Sequence, residues 1–266
     1  MTSLISCTVR DGIADVRLDR PDKYNGLTFE MLRDLASTAH RLRKDRTLRA
    51  VVISGNGDAF CAGLDFGSVS KKPWQIPVGL VPVPWRGTNV FQEACWAWRR
   101  VPAPVIAAVH GHCYGGGIQI ALAADFRITT PDAKWSVLEG KWGLIPDMSG
   151  VRSLSELVGV ETAKRLTMTA EVLSGQDAHD LGLAGTVAAD PRGAAFELAR
   201  TLTTKSPDAL AAAKRLFDKH HRSSARRTFA AERREQVKLL FGRNAKIARA
   251  AGLKREAPQF VERGTR

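Results

Sequence analysis

Two glycine-containing turns and one glutamate are the parts of this 266-residue sequence that best fit a chemical task. The first turn is AFCAGLDF, residues 59–66, and the second is HGHCYGGGIQ, residues 110–119. Each follows a short apolar run that predicts a buried strand. Glycine lets the backbone approach a ligand closely, and a helix beginning near Gly117 would aim free N–H groups and its positive dipole end at that ligand.

Neither turn fits a phosphate-binding motif. The spacing of Gly111, Gly115 and Gly117 departs from G-x-G-x-x-G, and no Lys-Ser/Thr pair follows as in a P-loop. For the triple glycine taken alone, a tight strand-to-helix turn without a ligand is the alternative. Two such turns together suit two backbone N–H groups that converge on one oxygen, each donor stabilising a developing oxyanion by about 3 kcal/mol.

The elements that must position these turns alternate between strands and helices. Ala14, Val16 and Leu18 alternate with charged residues as in a half-buried strand, and Thr28 can cap a helix. The apolar face of that helix would comprise Phe29, Leu32, Leu35, Ala36, Ala39 and Leu42. LRAVVIS, PVIAAV and DFRITT predict buried strands, and GIQIALAAD predicts a helix. This order predicts an α/β fold with a mostly parallel sheet or superhelix.

Two regions depart from this rhythm. Residues 66–90 carry four prolines and two tryptophans without sustained periodicity, which predicts a long structureless loop acting as a lid. From about Thr162 onward the sequence has few strand patterns and mostly helical ones. Ser206-Pro207 predicts the start of one helix, and a second helix is expected near Ala225–Leu240. We therefore predict an α/β core over residues 1–200 and a helical region over residues 201–266.

Composition restricts the class of protein without identifying it. The formal net charge of +13 is compatible with nucleic acid, an anionic membrane surface or an acidic small molecule, and equally with an ordinary soluble surface. Four cysteines without disulfide-like spacing and a charged N-terminal segment without a targeting pattern predict a reduced, cytoplasmic protein. The longest apolar stretch is interrupted by proline, histidine and glycine, so no membrane span is expected.

Six segments, in order along the chain, resemble the enoyl-CoA hydratase/isomerase (crotonase) family. They are RPDKYNGLTFEML, AVVISGNGDAFCAGLDF, PAPVIAAVHGHCYGGGIQIALAADFRI, SVLEGKWGLIPDMSGVRSL, LSGQDAHDLGLAGTV and KREAPQF. The resemblance implies a crotonase-like spiral of ββα units followed by a C-terminal helical trimerisation region. It also implies an acyl-CoA thioester substrate, an enolate intermediate, a homotrimer or dimer of trimers, and no metal or cofactor beyond the coenzyme A carried by the substrate.

The same resemblance assigns residues. The oxyanion hole falls on the backbone N–H groups of Leu64 and Gly116. The segments implied to contact coenzyme A are Lys23–Leu27 and Ala62–Asp65, in particular Lys23, Asn25, Leu27, Ala62 and Asp65.

Gln119, Glu139 and Asp147 are the acid–base candidates. Family hydratases have a glutamate at each of the first two positions, and glutamine cannot ionise, although it can orient a water or a substrate. A single glutamate resembles enoyl-CoA isomerases, and Asp147, eight residues after Glu139, resembles dienoyl-CoA isomerases, which also have an acid where Gln119 stands. Asp147 could equally cap the following helix. Double-bond isomerisation with Glu139 as general acid/base is favoured over hydration by Glu139 alone.

Other chemistry-bearing residues favour structural roles. Cys61 and Cys113 lie in the two turns but lack a His–Asp pattern, and His110 and His112 lack a third metal ligand. Glu93 is expected on a solvated helix face. Four aromatic residues are expected to line or cover the acyl group, with core packing as an equal alternative: Phe66, Trp74, Trp85 and Trp96. An RNA-binding or non-catalytic acyl-CoA-binding homologue is the alternative of another class, although nucleic acid is disfavoured because no basic stripe is interleaved with aromatics.

Overall fold

A computed structural model describes residues 4–264 and places a six-stranded sheet at the centre of the chain. The strands are β1 Ile5–Arg10, β2 Ile13–Leu18, β3 Ala50–Gly55, β4 Val105–Val109, β5 His112–Tyr114, β6 Phe126–Thr129, β7 Lys134–Ser136 and β8 Thr186–Val187. The sheet order is β1-β2-β3-β4-β6-β8, and β5 pairs with β7. The first pair is antiparallel and the others are parallel, which confirms the predicted α/β class.

Helices cover the sheet and then extend beyond it. They are α1 Phe29–Lys44, α2 Phe66–Val69, α3 Gln75–Leu80, α4 Val90–Arg99, α5 Gly116–Leu122, α6 Gly150–Thr169, α7 Gly175–Asp180, α8 Pro191–Thr203, α9 Pro207–His220, α10 Ala225–Phe241 and α11 Arg243–Lys254. Short 3-10 helices span Pro21–Lys23 and Leu138–Trp142.

Side chains alternate across the central strands and build two apolar layers. Val51 and Ile53 of β3 join the larger core with α1 and α4, whereas Ala50 and Val52 join a smaller cluster beneath α8. All six residues of β3 are buried, as the apolar run LRAVVIS predicts. Both faces of the sheet are therefore covered, which is the usual condition of parallel strands.

Predicted helix starts are confirmed at two positions. The Thr28 side chain accepts a hydrogen bond from the Met31 N–H and caps α1. Ser206 caps α9 in the same way, with Pro207 in the first turn. In both cases the hydroxyl oxygen satisfies an N–H that the helix itself leaves without a partner.

The segment 66–90 is not the structureless loop that its composition suggests. It contains the short helices α2 and α3, and an antiparallel bridge joins Val83 to Thr88. The Asp65 side chain accepts a hydrogen bond from the Ser68 N–H and starts α2. The prediction was wrong because helices of four and six residues are too short to produce visible periodicity.

The last three helices are attached to the core through a buried lysine. Lys214 of α9 donates to the carbonyl oxygens of Trp98 and Ala103, at 3.1 and 3.2 Å, and pairs with Asp125 at 2.7 Å. Helices α10 and α11 pack on α9 and on each other. The division at residues 200 and 201 stays a prediction.

Asn25 organises the connection between β2 and α1. It has a left-handed backbone with φ of 56°, and its side chain is fully buried. Its Oδ1 accepts from the Arg20 N–H at 2.9 Å, and its Nδ2 donates to the carbonyl oxygens of Asn56 and Ala59 at 2.9 and 2.7 Å. One amide thus holds together two connections that lead into the site.

Replacing Asn25 with Ala should lower the free energy of unfolding by about 2–3 kcal/mol, because buried backbone groups lose their partners. Urea denaturation measures this difference. Asp22→Ala, at an exposed position in the same connection, is the matched control and should stay within about 0.5 kcal/mol of the wild type. Equal stability of the two variants would contradict this role of Asn25.

Candidate active site

The two glycine-containing turns are joined by backbone hydrogen bonds. The Cys61 N–H donates to the His112 carbonyl and the Tyr114 N–H donates to the Cys61 carbonyl, each at 2.9 Å. A Cβ atom on Gly117 would lie 2.4 Å from the Cys61 carbonyl oxygen, and one on Gly63 would lie 2.9 Å from that of Tyr114. The approach of the two turns therefore requires glycine at both positions.

This approach brings together two segments whose Leu64 and Gly116 N–H groups have no hydrogen-bond acceptor among the described residues. The neighbours of Leu64 are bonded to Leu27, since the Leu27 N–H donates to the Gly63 carbonyl and the Asp65 N–H donates to the Leu27 carbonyl. Successive peptide groups of an extended chain point in opposite directions, so the Leu64 N–H faces away from Leu27. Gly116 opens α5, where an N–H has no partner inside the helix. Within residues 4–264 neither amide donates a hydrogen bond.

Gln119 is buried, and both the nitrogen and the oxygen of its side-chain amide are hydrogen-bonded. Its Nε2 donates to Oε1 of Glu139 at 2.6 Å, and its Oε1 accepts from the N–H groups of Met148 and Gly150 at 2.8 and 2.9 Å. The glutamine therefore connects the carboxylate to the start of α6. It orients Glu139 and has no free oxygen with which to accept a hydrogen bond from a water.

Glu139 is buried and lies against Gly115. A Cβ atom on Gly115 would be 3.5 Å from Oε1 of Glu139, and Oε2 is buried without a hydrogen-bond partner. Burial raises the pKa of Glu139, the hydrogen bond from Gln119 opposes that change, and the nearby Asp147 charge adds to it. A carboxylate with one held oxygen and one free oxygen, at a raised pKa, is suited to taking and returning a proton.

Asp147 is part of this electrostatic environment and does not cap a helix. The residue before α6 is Ser149, and its side chain makes no capping hydrogen bond. Burial raises the pKa of Asp147, and its charge acts on Glu139. Of the two roles considered for Asp147, the structure excludes capping.

Apolar residues on the two sides of Glu139 in the sequence differ in exposure. Trp142, Leu144 and Ile145, which follow it, are exposed, whereas Trp135 and Val137, which precede it, are buried. The Glu139 carboxylate itself lies against the start of α5, which presents Gly115 and Gln119.

The five residues implied to contact coenzyme A fall into two groups. Lys23 is exposed, Ala62 is half-buried with its N–H bonded to the Tyr24 carbonyl, and Leu27 is buried beside Gly116. The side chains of Asn25 and Asp65 instead support the backbone. Asp65 pairs with Arg20 at 2.7 Å and accepts from Ser68, whose hydrogen bond chiefly lowers the pKa of Asp65 to about 2.

The cysteines and histidines of the two turns serve packing. Cys61 and Cys113 are fully buried, and burial raises the pKa of the Cys61 thiol to about 12, which opposes a nucleophilic role. The His110 ring is hydrogen-bonded to the Gly57 carbonyl at 2.8 Å. His112 packs against the rings of Tyr24 and Tyr114, with centroid distances of 5.5 and 5.0 Å.

Glu93 is buried, contrary to the expected solvated position. Its carboxylate pairs with Arg100 at 2.8 Å and accepts a hydrogen bond from Thr88, and Nε2 of His40 lies 2.9 Å from Oε1. Sequence periodicity could not predict this group of Glu93 and its partners, because the partners lie on α1, at the end of α4 and in the connection before α4.

The four aromatic residues considered for the acyl wall do not act together. Phe66 contacts Trp142, with ring centroids 5.2 Å apart, beside the segment that carries Glu139. Trp96 instead stacks with the guanidinium groups of Arg99 and Arg152. Trp74 and Trp85 are largely exposed.

Sequence reasoning also missed the two amides that hold Gln119. Met148 and Gly150 follow Gln119 by 29 and 31 residues and act through backbone N–H groups, which leave no side-chain pattern. The glycine at position 150 is a partial signal, because a Cβ there would lie 2.5 Å from Oε1 of Gln119.

A parallel sheet with two joined glycine turns, two amides without acceptors and a buried carboxylate supplies the kinds of group that acyl-transfer and enolate-forming sites use. The family model described as enoyl-CoA hydratase/isomerase matches residues 8–263, and the chain belongs to this family of crotonase-superfamily enzymes.

Relatives with different activities resemble the chain to a similar degree. It is 33% identical to a mitochondrial Delta(3,5)-Delta(2,4)-dienoyl-CoA isomerase of Rattus norvegicus, over 76% of the chain and 64% of that relative's length. It is 30% identical to 1,2-epoxyphenylacetyl-CoA isomerase of Escherichia coli, over 98% of the chain and 99% of the relative. It is 31% identical to hydroxycinnamoyl-CoA hydratase-lyase of Pseudomonas fluorescens, over 80% of the chain and 77% of the relative.

A solved structure agrees over nearly the whole chain. The enoyl-CoA hydratase from Polaromonas sp. JS666 superposes with a TM-score of 0.86 at 30% identity, covering 97% of this chain and 99% of that one. Among the helices of residues 4–264, none has the length and apolar character needed to cross a membrane.

Gly117→Ala should lower the free energy of unfolding by about 1–3 kcal/mol, because the new methyl group overlaps the Cys61 carbonyl and forces the two turns apart. Gly252→Ala is the matched control, since α11 leaves open space around Gly252 and alanine favours a helix by up to about 1 kcal/mol. Chemical denaturation of both variants checks the prediction. A G117A variant as stable as G252A would show that the turns are not held at contact distance.

Proposed function

We propose that this protein moves a double bond in an unsaturated acyl-CoA thioester through an enolate stabilised by the Leu64 and Gly116 amides. The observation that carries the proposal is the set of hydrogen bonds made by the Gln119 side chain. Its amide donates to Glu139 and accepts from the Met148 and Gly150 N–H groups, so Glu139 is the one ionisable group in this hydrogen-bond network. A single carboxylate that removes and returns a proton is sufficient for isomerisation.

The proposed reaction transfers one proton between two carbons. The thioester carbonyl oxygen accepts hydrogen bonds from the Leu64 and Gly116 N–H groups, which makes the proton on C2 more acidic. The free Oε2 of Glu139 takes that proton, and the electrons of the C2–H bond enter a dienolate that extends over the C3=C4 double bond. Return of the proton to C4 yields the C2=C3 double bond, and no co-reactant is consumed.

Asp147 gives this site a second acidic group. It lies near enough to raise the pKa of Glu139 and is itself partly buried. Its spacing of eight residues from Glu139 resembles that of dienoyl-CoA isomerases, the activity named for the rat relative. Gln119 departs from that pattern, so we assign proton transfer to Glu139 and a supporting electrostatic role to Asp147.

Hydration by Glu139 alone is the second candidate, favoured by the name of the hydratase-lyase relative. It requires a water held on the substrate, and the oxygen of Gln119 already accepts two backbone hydrogen bonds. Product analysis separates the reactions. Prompt formation of a 3-hydroxyacyl-CoA from a 2-enoyl-CoA would favour hydration, whereas conversion of a 3-enoyl-CoA to its 2-enoyl isomer favours our proposal.

Assembly and compartment belong to the same proposal. Exposed aromatic and aliphatic residues on the C-terminal helices support a homotrimer or dimer of trimers, among them Phe217, Phe229, Phe241 and Leu253. A cytoplasmic location stays a prediction, since the named dienoyl-CoA isomerases include mitochondrial proteins. We propose no cofactor beyond the coenzyme A of the substrate.

Glu139→Gln should lower kcat at least about 100-fold with little change in KM, because it removes the proton acceptor and keeps an oxygen for the Gln119 hydrogen bond. Steady-state kinetics with a 3-enoyl-CoA checks this expectation. Glu161→Gln, the same change at an exposed position of α6, should leave kcat within about twofold of the wild type. Unchanged turnover in E139Q would remove Glu139 from the reaction.

The pH dependence gives a separate test. Burial raises the pKa of Glu139, so its basic form, and with it kcat/KM, should appear at higher pH than for an ordinary glutamate. Asp147→Asn removes a negative charge that raises this pKa, so the acid limb of the kcat/KM profile should move to lower pH. A loss of kcat of about 100-fold in D147N would instead assign Asp147 a proton-transfer step.

A further inference from the structure

A basic groove lies at the opposite end of α1 from the candidate active site. Helix α1 begins directly after the Leu27 segment and runs for 16 residues, roughly 24 Å, to Lys44. Its last turn borders a groove of about 900 Å³, together with the last turn of α4, one side of α9 and the turn that carries Trp85 and Arg86. Nothing in the proposed acyl-CoA chemistry uses this surface.

The cations that line the groove exceed their acidic partners. Five of them are paired, in Arg46–Glu262, Arg99–Asp218, Arg100–Glu93, Lys214–Asp125 and Arg215–Glu235. Four others have no acidic partner within residues 4–264, namely Arg43, Lys44, Arg86 and Lys219. The groove therefore carries an uncompensated positive charge.

Helix dipoles explain the positions of three of these four cations. Arg43 and Lys44 occupy the last turn of α1, and Lys219 occupies that of α9, where cations are favourable. Arg86 lies outside any helix, in the turn where the Arg86 and Gly87 N–H groups both donate to the Val83 carbonyl. Three separate elements thus bring unpaired cations to one groove.

Trp85 supplies a flat apolar surface beside these cations. It is 82% exposed, the largest exposure among the described tryptophans. Trp96, which also lines the groove, already stacks with Arg99 and Arg152, at 4.7 and 5.5 Å from its ring centroid. One aromatic face is therefore available for stacking.

We propose that the groove binds a nucleoside polyphosphate. The base stacks on Trp85, and the phosphates contact the guanidinium groups of Arg43 and Arg86 and the ammonium groups of Lys44 and Lys219. The volume lies within the usual range for small-molecule sites, roughly 300–1,000 Å³. A single stacking surface with four cations fits one base and a short phosphate chain, whereas a nucleic-acid strand stacks successive bases on several aromatics.

Isothermal titration calorimetry with ATP tests this site without any acyl-CoA turnover. We expect one ATP per chain, bound more tightly than inorganic triphosphate. Replacing Arg43, Lys44 and Arg86 with Ala should weaken ATP binding at least about tenfold, since charge-assisted contacts are lost. The matched control replaces Arg226, Arg227 and Arg233 on the exposed face of α10, removes the same charge and should preserve binding.

The tryptophan variants test the stacking. Trp85→Ala should weaken ATP binding about fivefold or more and leave triphosphate binding unchanged, whereas Trp85→Phe keeps most of the affinity. Trp74→Ala, in the same segment, is the control. No saturable binding at millimolar ATP would overturn the proposal. The proposal would also be overturned if both triple variants lost the same amount of affinity for ATP, or if ATP binding survived the groove substitutions. Equal affinity of W85A and W74A for ATP would overturn it as well. A short single-stranded oligonucleotide that binds at least about tenfold more tightly than ATP would assign the groove to nucleic acid instead.

Discussion

The close contact between the two glycine turns is the constraint on which the site depends. Two backbone hydrogen bonds at Cys61 and the absence of a side chain at Gly117 bring the end of β3 next to the start of α5. That contact joins the segments that contain Leu64 and Gly116, which are about fifty residues apart in the chain. In the proposed reaction these two amides would act as preorganised donors, which need no rearrangement as charge develops on a carbonyl oxygen.

Gln119 connects the Glu139 carboxylate to the same region of backbone. It accepts hydrogen bonds from two amides at the start of α6 and donates one to Glu139, so three segments meet at one buried side chain. A glutamate at this position would place a second negative charge beside Glu139 and an acceptor where a donor now stands. With glutamine at position 119, Glu139 is the one carboxylate of this pair of side chains, and burial raises its pKa.

The charge of +13 is distributed according to the architecture of the helices. Cations collect at the C-terminal ends of α1 and α9, and many are neutralised by acids from other elements. Within the described residues, four cations without an acidic partner line the groove beside Trp85, at the far end of α1 from the glycine turns. Net charge alone could not distinguish a general surface property from a local site, because it contains no information on pairing.

Local patterns in the sequence determined the sheet, the first helices and the two turns, and the resemblance to a known family supplied Glu139 as a candidate. Periodicity and capping act over a few residues, so Val51, Thr28 and Ser206 could be placed correctly from neighbours in the chain. The tertiary structure alone decided what Gln119, Asp65 and Glu93 contact, because their partners are distant in sequence or are backbone amides. It also decided that Asp147 acts on Glu139 instead of capping α6, since an electrostatic interaction depends on distance through space.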